Sequence, residues 1–257
     1  MIEITKDLNN YYHMFDFYPV FHNFLVYAIR DLSPKIFVDQ VIRPNVVILY
    51  SYPAYFILGE PTQDIASDVI SLFHEDSWII ADSLNWKNTF ESMLGKHVVS
   101  HERTLFDSKN LSMDKILSHR KTLPAGLSIV PIDSKHLIDG MIADDVVSRF
   151  FTVSPFEKHG FGFALVDRHD NVHGFALSNY PVIGSEVELY VRVGYEYDPM
   201  FRMKGIGTTL CSYFIEESLH RGLTPIWDAA HVQSAHMAKK LGYTEKMNWF
   251  MYHILHH

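Results

Sequence analysis

The segment Arg202-Met203-Lys204-Gly205-Ile206-Gly207-Thr208 constrains this chain more than any other. It follows an alternating run, Glu186 to Tyr197, that reads as a long strand with Val187, Leu189, Val191 and Val193 on one face. Glu186, Glu188, Tyr190 and Arg192 take the other face, and Gly194 marks a bulge or a close backbone approach. The segment also opens a helical pattern, Arg202 to His220, with Leu210, Cys211, Phe214, Ile215 and Leu219 on one side and Gly222 at the C-cap. The first turn of a helix carries unpaired N–H groups and the positive end of the dipole. Glycines at 205 and 207 let a pyrophosphate reach that backbone without meeting a Cβ, and Arg202 and Lys204 add charge beside it. The same residues also suit a plain turn from strand to helix, and a G-x-G alone does not separate the two readings.

The rest of the chain is an alternation of strands and helices, which makes the fold class α/β. Leu123-Pro124-Ala125-Gly126 interrupts both helix and strand, and it predicts two halves, residues 1–122 and 123–257. In the first, smaller half, Lys35 to Asp39, Val46 to Tyr50 and Ala54 to Leu58 are β-rich runs bounded by Pro or Gly, a small antiparallel meander. Helical spacing over Thr62 to Phe73, a strand at Trp78 to Ala81, a helix at Trp86 to Leu94 and a strand at His97 to Leu105 follow. In the second half, Leu127 to Ile132 reads as a strand and Ser134 to Phe151 as largely helical. Phe161 to Val166 and Val172 to Leu177 form a hairpin around Asp167 to Asn171. After the long helix come a strand at Pro225 to Ala229, a helix at Ser234 to Leu241 ended by Gly242, and a strand at Met247 to Leu255.

Arg-x-x-Gly-x-Gly after a long strand, then a helix, a short strand and a helix ending Lys239-Lys240-Leu241-Gly242-Tyr243, resembles the GCN5-related N-acetyltransferases. Gly222 through Ala229 and Ser234 through Tyr243 resemble a bacterial branch near the zwittermicin-resistance type, in which an extra half precedes the acetyltransferase domain. The resemblance is specific over about the last 75 residues. It implies a mixed sheet whose central strands splay, with acetyl-CoA as cosubstrate. It maps the pyrophosphate to Arg202, Met203, Lys204, Gly205, Ile206, Gly207 and Thr208, and the pantetheine arm to Tyr195, Glu196 and Tyr197. Ser234 matches the family's serine, while His231 stands where an amide-bearing residue commonly contacts the pantetheine. Ala238 stands where the family often places a tyrosine that protonates the departing thiolate, so Tyr243, Tyr190, His236 or water would have to supply that proton.

Acyl transfer to an amine needs a neutral nucleophile, so a base or a water chain must take its proton. Glu188, on the polar face of the strand beside the motif, is the first candidate base and Glu196 the second; either also suits a solvated strand carboxylate. The acceptor expected is a small amine. A noncatalytic acyl-CoA-binding or ligand-sensing module is the alternative, favoured by His231 and Ala238.

Composition narrows the partners. Net charge is −8, with no dense Lys/Arg block, which argues against a nucleic-acid footprint and leans toward a cationic acceptor. The lone cysteine, Cys211, forms no intrachain disulfide or Cys-based zinc cluster and fits a reducing, cytoplasmic setting. The chain has 16 histidines, but His97 and His101 lie in a strand-like run and no HExxH occurs, so no metal is expected. Met1 to Asn10 carries acids and no apolar core, unlike a secretory signal. Val46 to Leu58, the most apolar stretch, is broken by Ser51 and Pro53 and is too short to span a membrane. The N-terminal aromatics, Tyr11, Tyr12, Phe15, Phe17, Tyr18, Phe21 and Phe24, read as core or as a substrate wall.

Overall fold

The computed structural model describes residues 1–193 and 205–255. It comprises two compact α/β units, Met1–Arg103 with Asn248–His257, and Thr104–Met247. In the first, β1 (Ile2–Ile4) leads through short helices α1 (Asn9–Tyr12) and α2 (His22–Tyr27) to β2 (Lys35–Val38), β3 (Val46–Ser51) and β4 (Ala54–Gly59). Then come α3 (Gln63–Ile70), β5 (Trp78–Ala81), α4 (Asn85–Leu94) and the start of β6 (Val98–Asp107). The meander expected from Pro and Gly punctuation is present: β1 to β4 pair antiparallel in sequence order, and β5 joins β4 in parallel. Val46 to Leu49 are all buried, as a strand covered on both faces requires. Ile48, Ile57, Val69, Trp86 and Phe90 share one core cluster. Phe24 and Tyr18 pack on Phe56 with ring centroids 5.5 and 5.8 Å away, so these N-terminal aromatics are core; Phe17 alone of the run is almost fully exposed.

The second unit runs from α5 (Met113–Ser118) through β7 (Leu127–Pro131), α6 (Gly140–Phe150), α7 (Val153–His159), β8 (Gly162–Asp167), β9 (Val172–Ser178) and β10 (Glu186–Val193). It continues with α8 (Ile206–His220), β11 (Thr224–Ala229), α9 (Val232–Leu241) and the start of β12 (Thr244–Ile254). Strands β7 to β10 pair antiparallel in order, and β10 pairs β11 in parallel. The hairpin between β8 and β9 is tied by Asp167, whose carboxylate accepts from the backbone N–H of His169 (2.8 Å) and Asn171 (3.0 Å) and from the Asn171 amide (2.9 Å). Those donors, the Asn171 side chain foremost, hold its carboxyl well below the usual carboxylate range. Two helices escaped the sequence reading. Helix α7 carries Pro155 within its first turn, where a missing N–H costs nothing, and α5 starts at Ser112, whose side chain accepts from Lys115 N.

Each unit follows one plan: a strand, helices, three antiparallel strands, a helix, a parallel strand, a helix, and a closing strand. The closing strands are exchanged. Strand β6, which follows α4, pairs with β11 through Phe106↔Trp227, Leu105↔Asp228 and Thr104↔Ala229. Strand β12, which follows α9, pairs with β5 through Met251↔Ile80, Tyr252↔Ile79 and His253↔Trp78. This is why the units divide at 103/104 and 247/248, whereas the Pro/Gly pair at 123–126 lies inside the second unit. Residues 104–122 belong with the second unit physically. Phe106 and Ile116 are buried in its core, and Arg120 lies 3.9 Å over the Tyr213 ring while donating to Ser212 Oγ (2.9 Å) and pairing with Glu216. Lys121 N donates to Thr209 Oγ1 at 3.0 Å.

A fragment of residues 123–257 therefore lacks the strand that pairs with β11. Burial of Phe106 and Ile116 alone is worth roughly 3–6 kcal/mol, comparable with a whole domain's net stability. Expressed alone, the fragment is expected to show no cooperative thermal transition; a melt within a few degrees of the full chain would contradict the strand exchange.

Candidate active site

The second unit is built around a parting of its only parallel strand pair among the described residues. Registered pairs join β10 to β11 at Glu186↔Thr224, Val187↔Pro225 and Glu188↔Ile226, and stop there. Beyond that point β10 pairs with β9 from Leu189↔Ser178 to Val193↔Gly174, and β11 pairs with β6. Each strand keeps its outer neighbour and loses the other, which opens a wedge between Leu189–Val193 and Trp227–Ala229. Val187 and Leu189 are buried with Leu210, Phe214, Ile215, Ala238 and Leu241, so α8 and α9 cover that face.

Helix α8 begins at Ile206, with Gly205 as its N-cap at φ +74° and no side chain capping its first amides. An ordinary side chain at this left-handed conformation is strained, and a Cβ on Gly205 would lie 3.3 Å from Lys121 Cγ. The helix starts at Ile206, later than the Arg202 the sequence suggested, and its glycine N-cap offers no side chain to its first amides. Ile206, Gly207 and Thr208 form that turn and are buried. Of the expected site, Arg202, Met203, Lys204, Tyr195, Glu196 and Tyr197 lie outside the described residues, as does Gly194.

His231 and Ser234 sit at the start of α9 and are engaged within the protein. His231 is the N-cap: its Nδ1 accepts from Ser234 N at 3.1 Å, which leaves the ring proton on Nε2, a donor on an exposed side chain. Ser234 Oγ accepts from Trp227 Nε1 at 2.9 Å, holding the buried indole that ends the β11 edge of the wedge. Of the proton donors considered, Tyr243 is buried beside Trp227, its hydroxyl has no hydrogen-bond partner among the described residues, and burial pushes its pKa well up. His236 is exposed on α9. Tyr190 lies on the polar face of β10, where burial also raises it. Ala238 is fully buried, and burial raises the Cys211 thiol, consistent with a structural cysteine.

On the opposite face of β10, Glu188, Tyr190 and Arg192 join one polar network with α6. Asp145 is buried; its Oδ1 accepts from Arg149 Nη1 (3.0 Å) and Tyr190 OH (3.2 Å), and its Oδ2 from Arg192 Nη1 (2.6 Å). The Arg149 guanidinium lies 3.5 Å over the Tyr190 ring, and its Nε donates to Asn179 Oδ1 at 2.8 Å. Asn179 Nδ2 in turn donates to Glu188 Oε1 at 2.7 Å. Sequence reasoning identified Glu188 but missed Asp145, Arg149 and Asn179. The i, i+4 spacing of Asp145 and Arg149 was the available signal; Asn179 gave none. No group of three or more His, Cys, Asp or Glu among the described residues is placed to hold a metal ion, and none of the described helices is long and apolar enough to cross a membrane.

The corresponding place in the first unit is closed. Strands β4 and β5 stay registered from Ala54↔Trp78 to Ile57↔Ala81, and Asp82 N continues the ladder to Ile57 O at 3.1 Å. The Tyr18 hydroxyl donates to Ile80 O (2.8 Å) with Ile57 O at 3.2 Å, bridging both strands. Asp82 accepts from Gly59 N (3.1 Å), and Trp86 Nε1 donates to Gly59 O (2.8 Å). Helix α3 is capped by Thr62, whose side chain accepts from Ile65 N. The wedge is absent there, and the helix that follows starts on a side-chain cap.

The chain belongs to the GNAT acetyltransferase family, whose sequence model matches residues 18–252, and with it goes the GNAT fold. A GCN5-related N-acetyltransferase-like protein from Streptococcus suis 89/1591 is similar in structure, with TM-score 0.73 and 20% identity over 96% of this chain and 98% of that one. An acetyltransferase of the GNAT family from Colwellia psychrerythraea aligns at TM-score 0.56 and 11% identity, covering 99% of both chains. A tandem GNAT protein from the clavulanic acid biosynthesis pathway aligns at 0.54 and 13%, over 86% of this chain and 82% of that one. No curated protein matches this sequence.

Asp145 offsets two guanidinium groups from a buried position. Asp145→Ala is expected to cost roughly 2–3 kcal/mol, less than a fully buried pair because Arg192 is half exposed, read from the denaturant midpoint. Lys135→Ala, which removes the exposed partner of Asp170 and leaves that residue's left-handed backbone untouched, should leave that midpoint unchanged; equal midpoints for both variants would contradict the network's role.

Proposed function

We propose that this chain is an acetyl-CoA-dependent N-acetyltransferase that moves the acetyl group directly to a small amine. The observation that carries the reading is the wedge between β10 and β11, adjoining a helix whose N-cap, Gly205, brings no side chain to its first amides. Acetyl-CoA supplies the acetyl group as a reactive thioester. The fit is with backbone: Gly205, Ile206, Gly207 and Thr208, together with Arg202, Met203 and Lys204, would bind the pyrophosphate by amides and charge. The β10 edge, continuing into Tyr195, Glu196 and Tyr197, would pair with the pantetheine arm. His231 Nε2–H offers a donor where the family uses an amide, and Ser234 fixes Trp227 rather than being free for the cofactor.

Glu188 is the base proposed to take the amine proton, directly or through water, with Glu196 second. Its carboxylate lies on the α6 face of β10, opposite the layer of α8 and α9, so acceptor and helix amides approach the wedge from different sides. The net charge of −8 favours a cationic acceptor such as an amino sugar or polyamine. The reaction needs no metal, and a cytoplasmic setting supplies the cosubstrate. Likeness to the zwittermicin-resistance type would fit an acceptor of this kind. The second reading, a noncatalytic acyl-CoA-binding module, draws on Ala238 and on His231 and Ser234 being used as cap and anchor. Thiol release from acetyl-CoA across a panel of amines separates the two: amine-dependent release supports the transferase, and binding without release supports the module.

Calorimetry with CoA should give one site per chain, because the first unit's counterpart is stitched shut. Two sites, or none at millimolar CoA, would contradict the reading. Gly205→Asn is the informative variant. Asparagine tolerates the left-handed conformation, and its side chain can cap the amides the pyrophosphate needs. CoA affinity should fall at least about tenfold, roughly 1.4 kcal/mol, with little change in Tm.

A further inference from the structure

We infer that Asn179, locked in orientation by Arg149, is a positioning residue that holds the Glu188 carboxylate ready to accept a proton. The inference rests on Glu188 being the base in the proposed acetyl transfer. Asn179 follows β9 directly and meets Glu188 twice: its backbone N–H donates to Glu188 O at 2.7 Å, and its Nδ2 donates to Glu188 Oε1 at 2.7 Å. A side-chain amide can usually rotate by half a turn and exchange donor for acceptor. Here it is prevented from doing so. Asn179 Oδ1 accepts from Arg149 Nε at 2.8 Å, and Arg149 never gives up its proton. A flipped amide would turn N–H toward N–H at Arg149 and oxygen toward oxygen at Glu188.

Arg149 is itself fixed from three sides. It donates to Asp145 Oδ1 (3.0 Å) and to Ser148 Oγ (2.9 Å), and it stacks on the Tyr190 ring. The buried Asp145 thus sets Arg149, Arg149 sets the Asn179 amide, and the amide presents a donor to Glu188. A donor on the carboxylate favours its ionised form, the form a base requires. It also fixes one oxygen, so the other is aimed rather than rotating. No net charge is added beside an amine acceptor, since the contact is through a neutral amide.

Among the described residues, the other charged or titratable groups on this face are Asp145 and Arg149 from α6, Glu186, Tyr190 and Arg192 along β10, His173 on β9, and Asp228 on β11. The measurement must therefore report on Glu188 itself. Carbon-detected NMR of the full-length protein, 13C-labelled at glutamate and with the Glu188 signal assigned through Glu188→Gln, follows its ionisation directly. Asn179→Ala removes the donor, and its Glu188 midpoint is expected to rise by on the order of one pH unit. Asn179→Asp keeps the acceptor for Arg149 but sets a second carboxylate against Glu188, and should raise the midpoint further. A purely structural Asn179 would lower Tm in both variants and leave the midpoint where it was, which overturns the inference. A wild-type Glu188 that stays protonated through neutral pH instead overturns the reading of Glu188 as a base, and the inference with it. Ordered midpoints, wild type below Asn179→Ala below Asn179→Asp, support it.

Discussion

Backbone hydrogen bonding between β10 and β11 is the constraint from which the rest of the second unit follows. Two parallel strands that remain paired along their length offer a ligand nothing, because every inward-facing amide and carbonyl is used. These two part after Glu188↔Ile226, and each is kept in place by an antiparallel neighbour on its far side. Parting costs little in register, since β9 and β6 continue their ladders, but it leaves strand backbone facing a wedge. Buried polar backbone without a partner costs about 1–3 kcal/mol per group, so such an edge calls for water or a ligand with amides of its own. In the proposed reaction a pantetheine arm, with two amides in an extended chain, would meet that need.

The shared order of elements gives the account an internal control. Both units share one order of elements and one pairing scheme, and both have a parallel pair where a helix crosses over. In the first unit the pair holds through Ile57↔Ala81, with Tyr18, Asp82 and Trp86 occupying the polar groups beyond it. The same scaffold is thus found once open and once sealed by its own side chains. The end of β6, Thr104 to Phe106, lies in the second unit and holds β11 on its outer side. The family's match over residues 18–252 spans both units.

Much of this was legible in the sequence where local chemistry is strong. Pro and Gly punctuation placed β2, β3 and β4 to within a residue, the alternation of Val187, Leu189, Glu188 and Tyr190 assigned the faces of β10, and the spacing of Leu210, Phe214 and Ile215 gave the buried side of α8. What lacked a local signature was missed. The exchange of closing strands depends on pairings between residues more than 100 positions apart, such as Phe106 with Trp227, which no periodicity records. The partners of Glu188 fall on α6 and at the end of β9, and only folding brings them together. His231, singled out as a family departure, is also the N-cap of α9, a local role that the comparison of motifs did not bring out.

The central claim is that the cofactor enters where β10 and β11 part. Hydrogen exchange followed by mass spectrometry, with and without saturating CoA, tests it at the level of backbone amides. The account predicts slowed exchange in peptides covering Leu189 to Val193 and Ile206 to Thr208, with β4 and β5 unchanged. Unaltered exchange along β10 and the first turn of α8, or protection appearing in β4 and β5 instead, would contradict it.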